Sequence, residues 1–347
     1  MTRPLPVLNA SPGGTPLVDR HGRGFRSLRI SVTPACNFAC VYCRPADHET
    51  FRHGSALLSF PELVRVAGVA AGLGFTKLRL TGGEPLVRPG LPGLVRDLKA
   101  VRGVEQVALT TNGSLLPRHA RALYDAGLDR VNVSLDSLNQ ETAAELAGKD
   151  VLADVLAGLD AAAAAGLPVK LNCVPVRGVN DREAADLVRF AHARGWELRF
   201  IEFMPMGEAG RLLDGTHADG ATVPGAELRA RLAAAGYRLR RDRLTPRSDP
   251  ARGWVCDATG ARVGFVGSLT ENFCHACDRM RLTAEGQLRP CLHQDAGVSL
   301  RGPLRAGASD DRLAGFFRDA AALKWAGHRI TADAPEYSAR EMISVGG

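Results

Sequence analysis

Short apolar runs rich in β-branched residues alternate, over the first two-thirds of the chain, with longer segments of helical periodicity. Six runs predict β-strands, at residues 28–32, 77–80, 107–110, 130–136, 169–174 and 198–204. Helical patterns fill the gaps, and the first, near residues 61–73, begins after Ser59 with Glu62 three positions on, as in a capping box. Strands that alternate with helices in this way build βα units and a parallel sheet.

The number of βα units sets the architecture. Six units are fewer than the eight that close a full barrel, so the pattern predicts an α/β fold with an open, partial TIM-like (β/α)6 barrel. In βα architectures the active site lies at the C-terminal ends of the strands. Here those ends carry a cysteine-rich loop, Gly82-Gly83-Glu84, and polar residues after the later strands. We therefore expect the functional residues to lie on this rim.

The regular alternation stops near residue 245. Pro246, Pro250 and nearby glycines interrupt it, and a second group of cysteines follows. The sequence thus predicts two domains, a partial barrel in residues 1–245 and a C-terminal α+β extension in residues 246–347 that covers the open side of the barrel.

Composition excludes several classes of protein. The chain has 347 residues, and 45% of them are hydrophobic, which excludes a disordered chain. Its 44 Lys and Arg against 37 Asp and Glu give a net charge of +7, but only five of the cations are Lys, so arginine-rich composition explains much of the excess. No apolar segment has the length of a signal peptide or a membrane helix, and we expect a soluble, cytoplasmic protein.

Six of the eight cysteines form two close triplets: Cys36, Cys40, Cys43 and Cys274, Cys277, Cys291. Such spacing is typical of metal chelation in a reducing compartment, and thiolates suit zinc or an iron–sulfur cluster. Taken alone, the first triplet fits a zinc knuckle completed by His48 or His53, or a [4Fe–4S] cluster with one open iron. The second fits a zinc ribbon with His275 or His293 as fourth ligand. Cys173 and Cys256 belong to neither triplet and are expected to be structural.

Two motifs near the first strand resemble the radical S-adenosylmethionine (SAM) superfamily. They are Cys-x3-Cys-Val-Tyr-Cys, ending at Cys43, and Thr-Gly-Gly-Glu-Pro at residues 81–85. The resemblance implies that the first triplet holds a [4Fe–4S] cluster whose open iron is chelated by the amino and carboxylate groups of SAM. An electron from the cluster then cleaves SAM to methionine and a 5′-deoxyadenosyl radical, while the protein excludes water and aims the radical.

The second triplet resembles the C-terminal half of the GTP 3′,8-cyclase family, which opens molybdenum cofactor biosynthesis. The similarity lies in residues 272–283, in Cys291-Leu292, and in the final Gly346-Gly347, which is like that family's diglycine tail. It covers the chain from about residue 17 to its end. It implies a lyase that converts GTP to (8S)-3′,8-cyclo-7,8-dihydroguanosine 5′-triphosphate with two [4Fe–4S] clusters, the second one held by Cys274, Cys277 and Cys291 near the guanine.

Carried over position by position, the resemblance assigns further residues. Four match SAM-contacting positions: Tyr42, Gly83, Ser134 and Met204. Seven match GTP-contacting positions: Arg29, Arg79, Thr110, Lys170, Arg279, Met280 and Arg281. The chain departs from the family at Pro34-Ala35, where a polar pair is usual, and at Arg44, where Met is common; neither position supplies a cluster thiolate.

Considered without the resemblance, several of these residues keep structural explanations. The strand arginines Arg29 and Arg79 could point outward to solvent, and Arg279 and Arg281 could be a solvated pair. Lys170 interrupts an apolar run and would need an anion if it faces the barrel interior. Ser134 and Asp136 end the fourth strand, where Asp136 or Ser137 could instead cap the next helix, and Met204 could be a core methionine.

The resemblance also implies partners. These are GTP as substrate, an external electron donor, and a cyclic pyranopterin monophosphate synthase acting downstream, with no nucleic acid and no membrane; a homodimer is compatible with the sequence. Two alternative functions are a radical SAM enzyme acting on a peptide and a zinc protein binding nucleic acid. The dispersed charge and the aromatic content of 5% disfavour the second alternative.

Overall fold

Six parallel strands form the centre of the computed structural model, which describes residues 16–43, 56–217, 220–328, 330 and 341–345. The strands are β1 (Ser27–Ser31), β2 (Lys77–Thr81), β3 (Gln106–Thr111), β4 (Arg130–Ser134), β5 (Val169–Cys173) and β6 (Glu197–Ile201). They pair with one another in chain order. All six predicted strands are confirmed, with ends that shift by three residues or fewer.

Helices follow the strands, as the sequence predicts. They are α1 (Phe60–Gly72), α2 (Leu91–Lys99), α3 (Leu116–Asp125), α4 (Gln140–Ala147), α5 (Leu152–Ala164), α6 (Ala184–Ala193), α7 (Gly207–Gly215) and α8 (Gly225–Ala234). The Ser59 hydroxyl accepts from the Glu62 amide and the Glu62 carboxylate accepts from the Ser59 amide at 2.6 Å, which confirms the capping box. None of the helices in the described ranges is long and apolar enough to cross a membrane.

The C-terminal region lengthens the same sheet at both edges. Its strands are β7 (Leu239–Arg241), β8 (Arg252–Cys256), β9 (Arg262–Val266), β10 (Arg279–Leu282), β11 (Gln287–Arg289) and β12 (Val298–Ser299). β9 pairs parallel with β6, and β10 pairs parallel with β1. The remaining strands add antiparallel ladders outside them, and helices α9 (Arg301–Arg305) and α10 (Asp310–Ala322) follow. Among the described residues β9 and β10 do not pair with each other, so the predicted open barrel is confirmed.

Side-chain alternation divides the parallel strands into two faces. Leu28, Ile30 and Leu78 are at most 1% exposed and belong to one hydrophobic core with helix residues such as Leu63. The intervening positions lie on the opposite face, inside the open barrel. Division of the chain at residue 245 stays a prediction, because the sheet runs continuously from one region into the other.

A buried arginine joins the start of the chain to the second cysteine region. The Arg23 Nε donates to Asp19 Oδ2 at 2.7 Å, while Nη1 donates to the carbonyls of Cys274 at 2.7 Å and Ala326 at 2.8 Å. Nη2 donates to the carbonyl of Trp325 at 2.5 Å. One side chain therefore fixes three segments that are far apart in sequence.

We predict that Arg23→Ala lowers the free energy of unfolding by about 3 kcal/mol, since it leaves the Asp19 carboxylate buried without its partner. Anaerobic urea denaturation followed by far-ultraviolet circular dichroism measures this change. Arg20→Ala, at an exposed neighbouring position, should change it by less than about 0.5 kcal/mol. Equal effects of the two substitutions would contradict the role of Arg23.

Candidate functional site

A cavity of about 230 Å³ lies at the C-terminal ends of the parallel strands. It brings together the first cysteine triplet and all four predicted SAM positions: Cys36, Cys40, Cys43, Tyr42, Gly83, Ser134 and Met204. Thr110, which the resemblance assigns to GTP, also lines this cavity. The structure therefore brings these residues together at the predicted rim, and Thr110 lies with the residues that the resemblance assigns to SAM.

The glycine pair after β2 packs directly on the backbone that leads to Cys36. The Gly83 amide donates to the Thr33 carbonyl at 2.7 Å, and the Glu84 amide donates to the Ala35 carbonyl at 2.8 Å. A Cβ atom on Gly83 would lie 2.3 Å from the Ala35 carbonyl oxygen. Glycine is therefore required here by the close approach of two backbones, in addition to any contact with a ligand.

Glu84, the acidic residue of the same motif, is buried and connects the ends of β2 and β3. Its carboxylate accepts from the Thr111 hydroxyl at 2.8 Å, the Asn112 amide at 2.7 Å and the Leu86 amide at 3.0 Å. Burial raises the pKa of Glu84 to about 7, against the lowering effect of these hydrogen bonds. Glu84 thus fixes the loop after β2 to the end of β3.

Asp136, which follows β4, connects the cysteine loop to the strand rim. The Tyr42 hydroxyl donates to Asp136 Oδ2 at 2.5 Å, and Asp136 Oδ1 accepts from the Val174 amide at 2.8 Å. Burial raises the pKa of Asp136 despite these bonds. The helix-cap alternative for Asp136 or Ser137 is wrong, because Asn139 caps α4 through its side chain.

The first triplet fits an iron–sulfur cluster in its donor chemistry. Cys36, Cys40 and Cys43 line one cavity, and burial raises the pKa of Cys40, with Cys43, Asp136 and Cys36 next in effect. In the described ranges no three His, Cys, Asp or Glu side chains converge on a single ion. A four-iron cluster does not require convergence, since each thiolate binds its own iron. His48, His53 and Arg44 lie outside the described residues.

The second triplet flanks β10 and β11, and a buried lysine holds it. Lys324 Nζ donates to the carbonyls of Arg279 at 2.7 Å and Pro290 at 2.6 Å, and it lies 3.5 Å from Cys277 Sγ. Burial alone would raise the pKa of Cys277, but Arg279 and Lys324 bring it down to about 6. The thiolate form that a metal needs is therefore favoured.

His275 and His293 are the two histidines considered as a fourth zinc ligand for the second triplet, and they lie in different surroundings. His293 packs against the ring of His328 at a centroid distance of 4.8 Å. Burial, with His328 and Arg281 nearby, lowers the pKa of His293 to about 3, so the ring is neutral. His275 lies within the short 3-10 helix Cys274–Ala276 that contains the first cysteine of the triplet.

A cluster of cations lies on the inner face of the barrel strands. Its members come from six strands, one from each: Arg29, Arg79, Arg130, Lys170, Arg199 and Arg281. Arg281, Arg29 and Arg79 are register partners on β10, β1 and β2. Burial lowers the pKa of Arg29, with Arg281 and Arg279 next in effect; burial also lowers the pKa of Arg79, followed by Arg29 and Arg130. The strand arginines therefore converge instead of pointing outward.

Two carboxylates neutralise this cation cluster in part. Glu197 forms ion pairs with Lys170 and with Arg199, whose Nε lies 2.6 Å from Glu197 Oε1. Asp249, from the loop between β7 and β8, lies 3.2 Å from Arg199 Nη2. The six cations of the cluster outnumber these two acids, which leaves a positive interior suited to a polyanion.

Three cations were missed by sequence reasoning. Arg130 and Arg199 lie on barrel strands at positions that strand alternation could have identified. Arg289 pairs in register with Arg281, is 3% exposed, and has Nε and Nη1 atoms without a hydrogen-bond partner among the described residues. It gave no sequence signal, because its pairing depends on how β11 folds back on β10.

Other predicted positions have clear structural explanations. The Met280 side chain is fully buried in the core, on the face opposite Arg279 and Arg281, so its side chain does not reach the cation cluster. A contact of Met280 with a ligand would have to come from its backbone. Cys173 and Cys256 are each 1% exposed, in agreement with a structural role.

The end of the described chain returns to the cavity. Met342 and Ile343, in the short helix Met342–Val345, line the same cavity as the first triplet. Gly346 and Gly347 lie outside the described residues.

Two family models match the chain, one described as the radical SAM superfamily at residues 30–191 and one as molybdenum cofactor synthesis C at residues 196–330. Among solved structures, Streptococcus suis SuiB bound to precursor peptide SuiA is 16% identical, with a TM-score of 0.61 over 86% of this chain and 68% of that one. Native anSMEcpe with bound AdoMet is 17% identical, with a TM-score of 0.52 over 76% of this chain and 74% of that one. The fold is that of radical SAM enzymes.

Relatives define the family more closely. A "GTP 3′,8-cyclase" of Heliobacterium modesticaldum is 41% identical, covering 95% of this chain and 100% of the relative. A "GTP 3′,8-cyclase" of Mycobacterium sp. (strain KMS) is 44% identical, covering 97% of this chain and 95% of the relative. The chain belongs to the GTP 3′,8-cyclase family.

The close approach at Gly83 predicts that Gly83→Ala displaces the cysteine loop. We expect the reconstituted variant to lose about half of its iron, because only the first triplet is disturbed; iron analysis and the visible absorption of the cluster measure this loss. Gly93→Ala is the matched control, since a Cβ at Gly93 meets no atom within 4 Å. Full iron content in both variants would contradict the packing role.

Proposed function

We propose that this protein is a radical SAM lyase that cyclises GTP to (8S)-3′,8-cyclo-7,8-dihydroguanosine 5′-triphosphate, the first step of molybdenum cofactor biosynthesis. The observation that supports it most is the cation cluster inside the barrel, just below the rim that carries the first triplet. A triphosphate supplies several negative charges in one ligand, and the arginine forks and Lys170 can bind them.

The first triplet and the cavity form the SAM half of the site. Cys36, Cys40 and Cys43 would hold the [4Fe–4S] cluster, which when bound supplies the electron that cleaves SAM. Tyr42, Gly83, Ser134 and Met204 would orient SAM against it. Apolar cavity residues such as Leu135, Ile201 and Ile343 exclude water from this chemistry.

The cations and the second triplet form the GTP half. Arg279 and Arg281 lie on β10, which pairs with β1 at one edge of the barrel sheet. Lys170 and Arg199 lie on β5 and β6 towards the other edge, so the two groups would approach the substrate from opposite sides. Cys274, Cys277 and Cys291 would hold the second [4Fe–4S] cluster beside the guanine. Because the phosphates are anchored at a distance from the reacting atoms, the ribose C3′ and guanine C8 can be held close together. This proximity lowers the barrier to cyclisation.

The proposal extends to partners and location. Reductive cleavage of SAM requires an external electron donor, and a cyclic pyranopterin monophosphate synthase would act on the product. Free thiols at all eight cysteines suit the reducing cytoplasm. A homodimer is compatible with the proposal, as is the division into residues 1–245 and 246–347.

The cations on the inner face of the barrel distinguish this function from the two alternatives drawn from the sequence. A peptide substrate offers no polyphosphate to meet them, and the likeness to SuiB concerns the fold alone. A nucleic-acid surface would carry its cations outside, where they neutralise backbone phosphates, whereas Arg29, Arg79 and Arg281 lie inside the barrel.

Removal of one cluster thiol tests the chemistry. We expect wild-type protein, incubated anaerobically with GTP, SAM and a reductant, to form the cyclised nucleotide, which mass spectrometry detects. Cys36→Ala should form none and should retain about half of the iron, whereas Cys256→Ala should remain active because Cys256 belongs to neither triplet. Product formation by Cys36→Ala, or stoichiometric zinc in place of iron, would contradict the proposed function.

Removal of one barrel cation tests the substrate assignment. Arg79→Ala should raise the KM for GTP about tenfold or more with a smaller change in kcat, because the phosphates are bound equally in the ground and transition states. Inorganic tripolyphosphate should compete with GTP in steady-state kinetics and bind the variant more weakly. Arg26→Ala, an exposed arginine just before β1, serves as the control. An unchanged KM for Arg79→Ala would argue against this use of the cluster.

A further inference from the structure

The carboxylate of Glu341 rests on the N-terminus of α7. The Glu208 amide donates to Glu341 Oε1 at 2.7 Å across 133 residues of sequence. Met206, at the N-cap position of α7, makes no side-chain hydrogen bond to the helix. A helix N-terminus carries unpaired amides and a partial positive charge, so a distant carboxylate supplies the cap that the local sequence does not.

A glycine at position 207 provides the space that the Glu341 carboxylate occupies. A Cβ atom on Gly207 would lie 2.5 Å from both Cδ and Oε2 of Glu341 and 2.6 Å from Oε1. The φ angle of Gly207 is +65°, a value that favours glycine. Any other residue at position 207 would therefore displace Glu341, so the glycine and the carboxylate form one matched contact, which we call the tail latch.

The tail latch joins two segments that both form walls of the SAM cavity. Met204 comes shortly before α7 and lines the cavity, and Met342 and Ile343 follow Glu341 directly and line it as well. Ile343 is 5% exposed, so it packs closely in this position. Glu341 itself is not among the residues that line the cavity.

We propose that Glu341 is a positioning residue that holds the C-terminal segment against α7, so that Met342 and Ile343 close the cavity around SAM. The inference rests on the proposed function, because it takes SAM as the ligand of this cavity. Glu341 acts through the wall that it fixes, and its loss should weaken SAM binding without removing a thiol or a direct contact.

Equilibrium binding of SAM tests the latch without relying on turnover. In anaerobic calorimetry of reconstituted protein, Glu341→Ala should raise the Kd for SAM about tenfold, the effect expected when one charge-assisted hydrogen bond is lost. Gly207→Ala should have a similar effect, and Glu341→Gln, which keeps an acceptor oxygen, should recover part of the affinity. Glu141→Ala is the matched control, an exposed acid in the first turn of α4 that is not among the residues lining the cavity.

Truncations separate the latch from the diglycine end. A chain ending at residue 345 keeps the latch and should bind SAM as the wild type does, whereas the same truncation carrying Glu341→Ala should show the tenfold loss. Iron content and thermal midpoint are measured for every variant, because a purely structural role would lower the midpoint and leave the Kd for SAM unchanged.

Two results distinguish failure of the latch from failure of the proposed function. If Glu341→Ala and Gly207→Ala bind SAM with the wild-type Kd, the latch is overturned while the proposed function stands. If wild-type protein binds SAM and Glu341→Ala binds it tenfold more weakly, the latch is supported even where no product is formed from GTP.

Discussion

The convergence of buried and partly buried cations inside the barrel is the constraint on which the rest of the structure depends. Guanidinium and ammonium groups are costly to remove from water, and burial lowers the pKa of Arg29 and Arg79 for that reason. Glu197 and Asp249 offset part of the charge by direct ion pairs. The apolar alternation of the strands holds the cations in place: Leu28 and Ile30 on either side of Arg29, and Leu78 and Leu80 on either side of Arg79, are fixed in the core. The barrel interior therefore keeps an excess of positive charge that an anionic ligand can neutralise.

The SAM half of the site depends on backbone contacts more than on charge. Gly83 allows the loop after β2 to press on the loop before Cys36, and Glu84 fixes the same loop to β3. Asp136 then joins the far end of the cysteine loop, through Tyr42, to the end of β4. Three strand ends thus position one loop from both sides, which gives the triplet a defined geometry although most of its segment is irregular.

Local pattern was sufficient for the central sheet and for the rim. The six barrel strands and the Ser59 cap follow from periodicity and capping signals, because these features depend on neighbours close in sequence. The assignment of Ser134 and Met204 came from the family resemblance, and Met342 and Ile343 were not predicted at the cavity. Strand alternation also explains why the Met280 side chain faces the core while Arg279 and Arg281 face the barrel interior. The family resemblance had assigned all three residues to GTP binding. Alternation thus restricts a contact of Met280 with GTP to its backbone, and the assignment itself stays a prediction.

Long-range pairing could not be predicted from the sequence. Nothing local indicates that β9 would extend the β6 edge while β10 extends the β1 edge, and Arg289 reaches the inner face only because β11 folds back on β10. The cap of α4 is a different case: Asn139 accepts locally from the Thr142 amide, while Asp136 accepts instead from Tyr42 and Val174, which are distant in sequence. Sequence reasoning failed where the partner of a side chain lies far away along the chain.

The placement of β9 and β10 on opposite edges has a consequence for how the chain folds during synthesis. β1 leaves the ribosome long before β10, but its outer edge obtains a partner only when β10 is complete. Until then an unpaired parallel strand edge is open to other chains, a recognised route to misassembly. The pairing is also strongly non-local, which slows folding. The C-terminal region therefore covers both edges of the open barrel, and the nascent barrel remains vulnerable to aggregation until that region has been made.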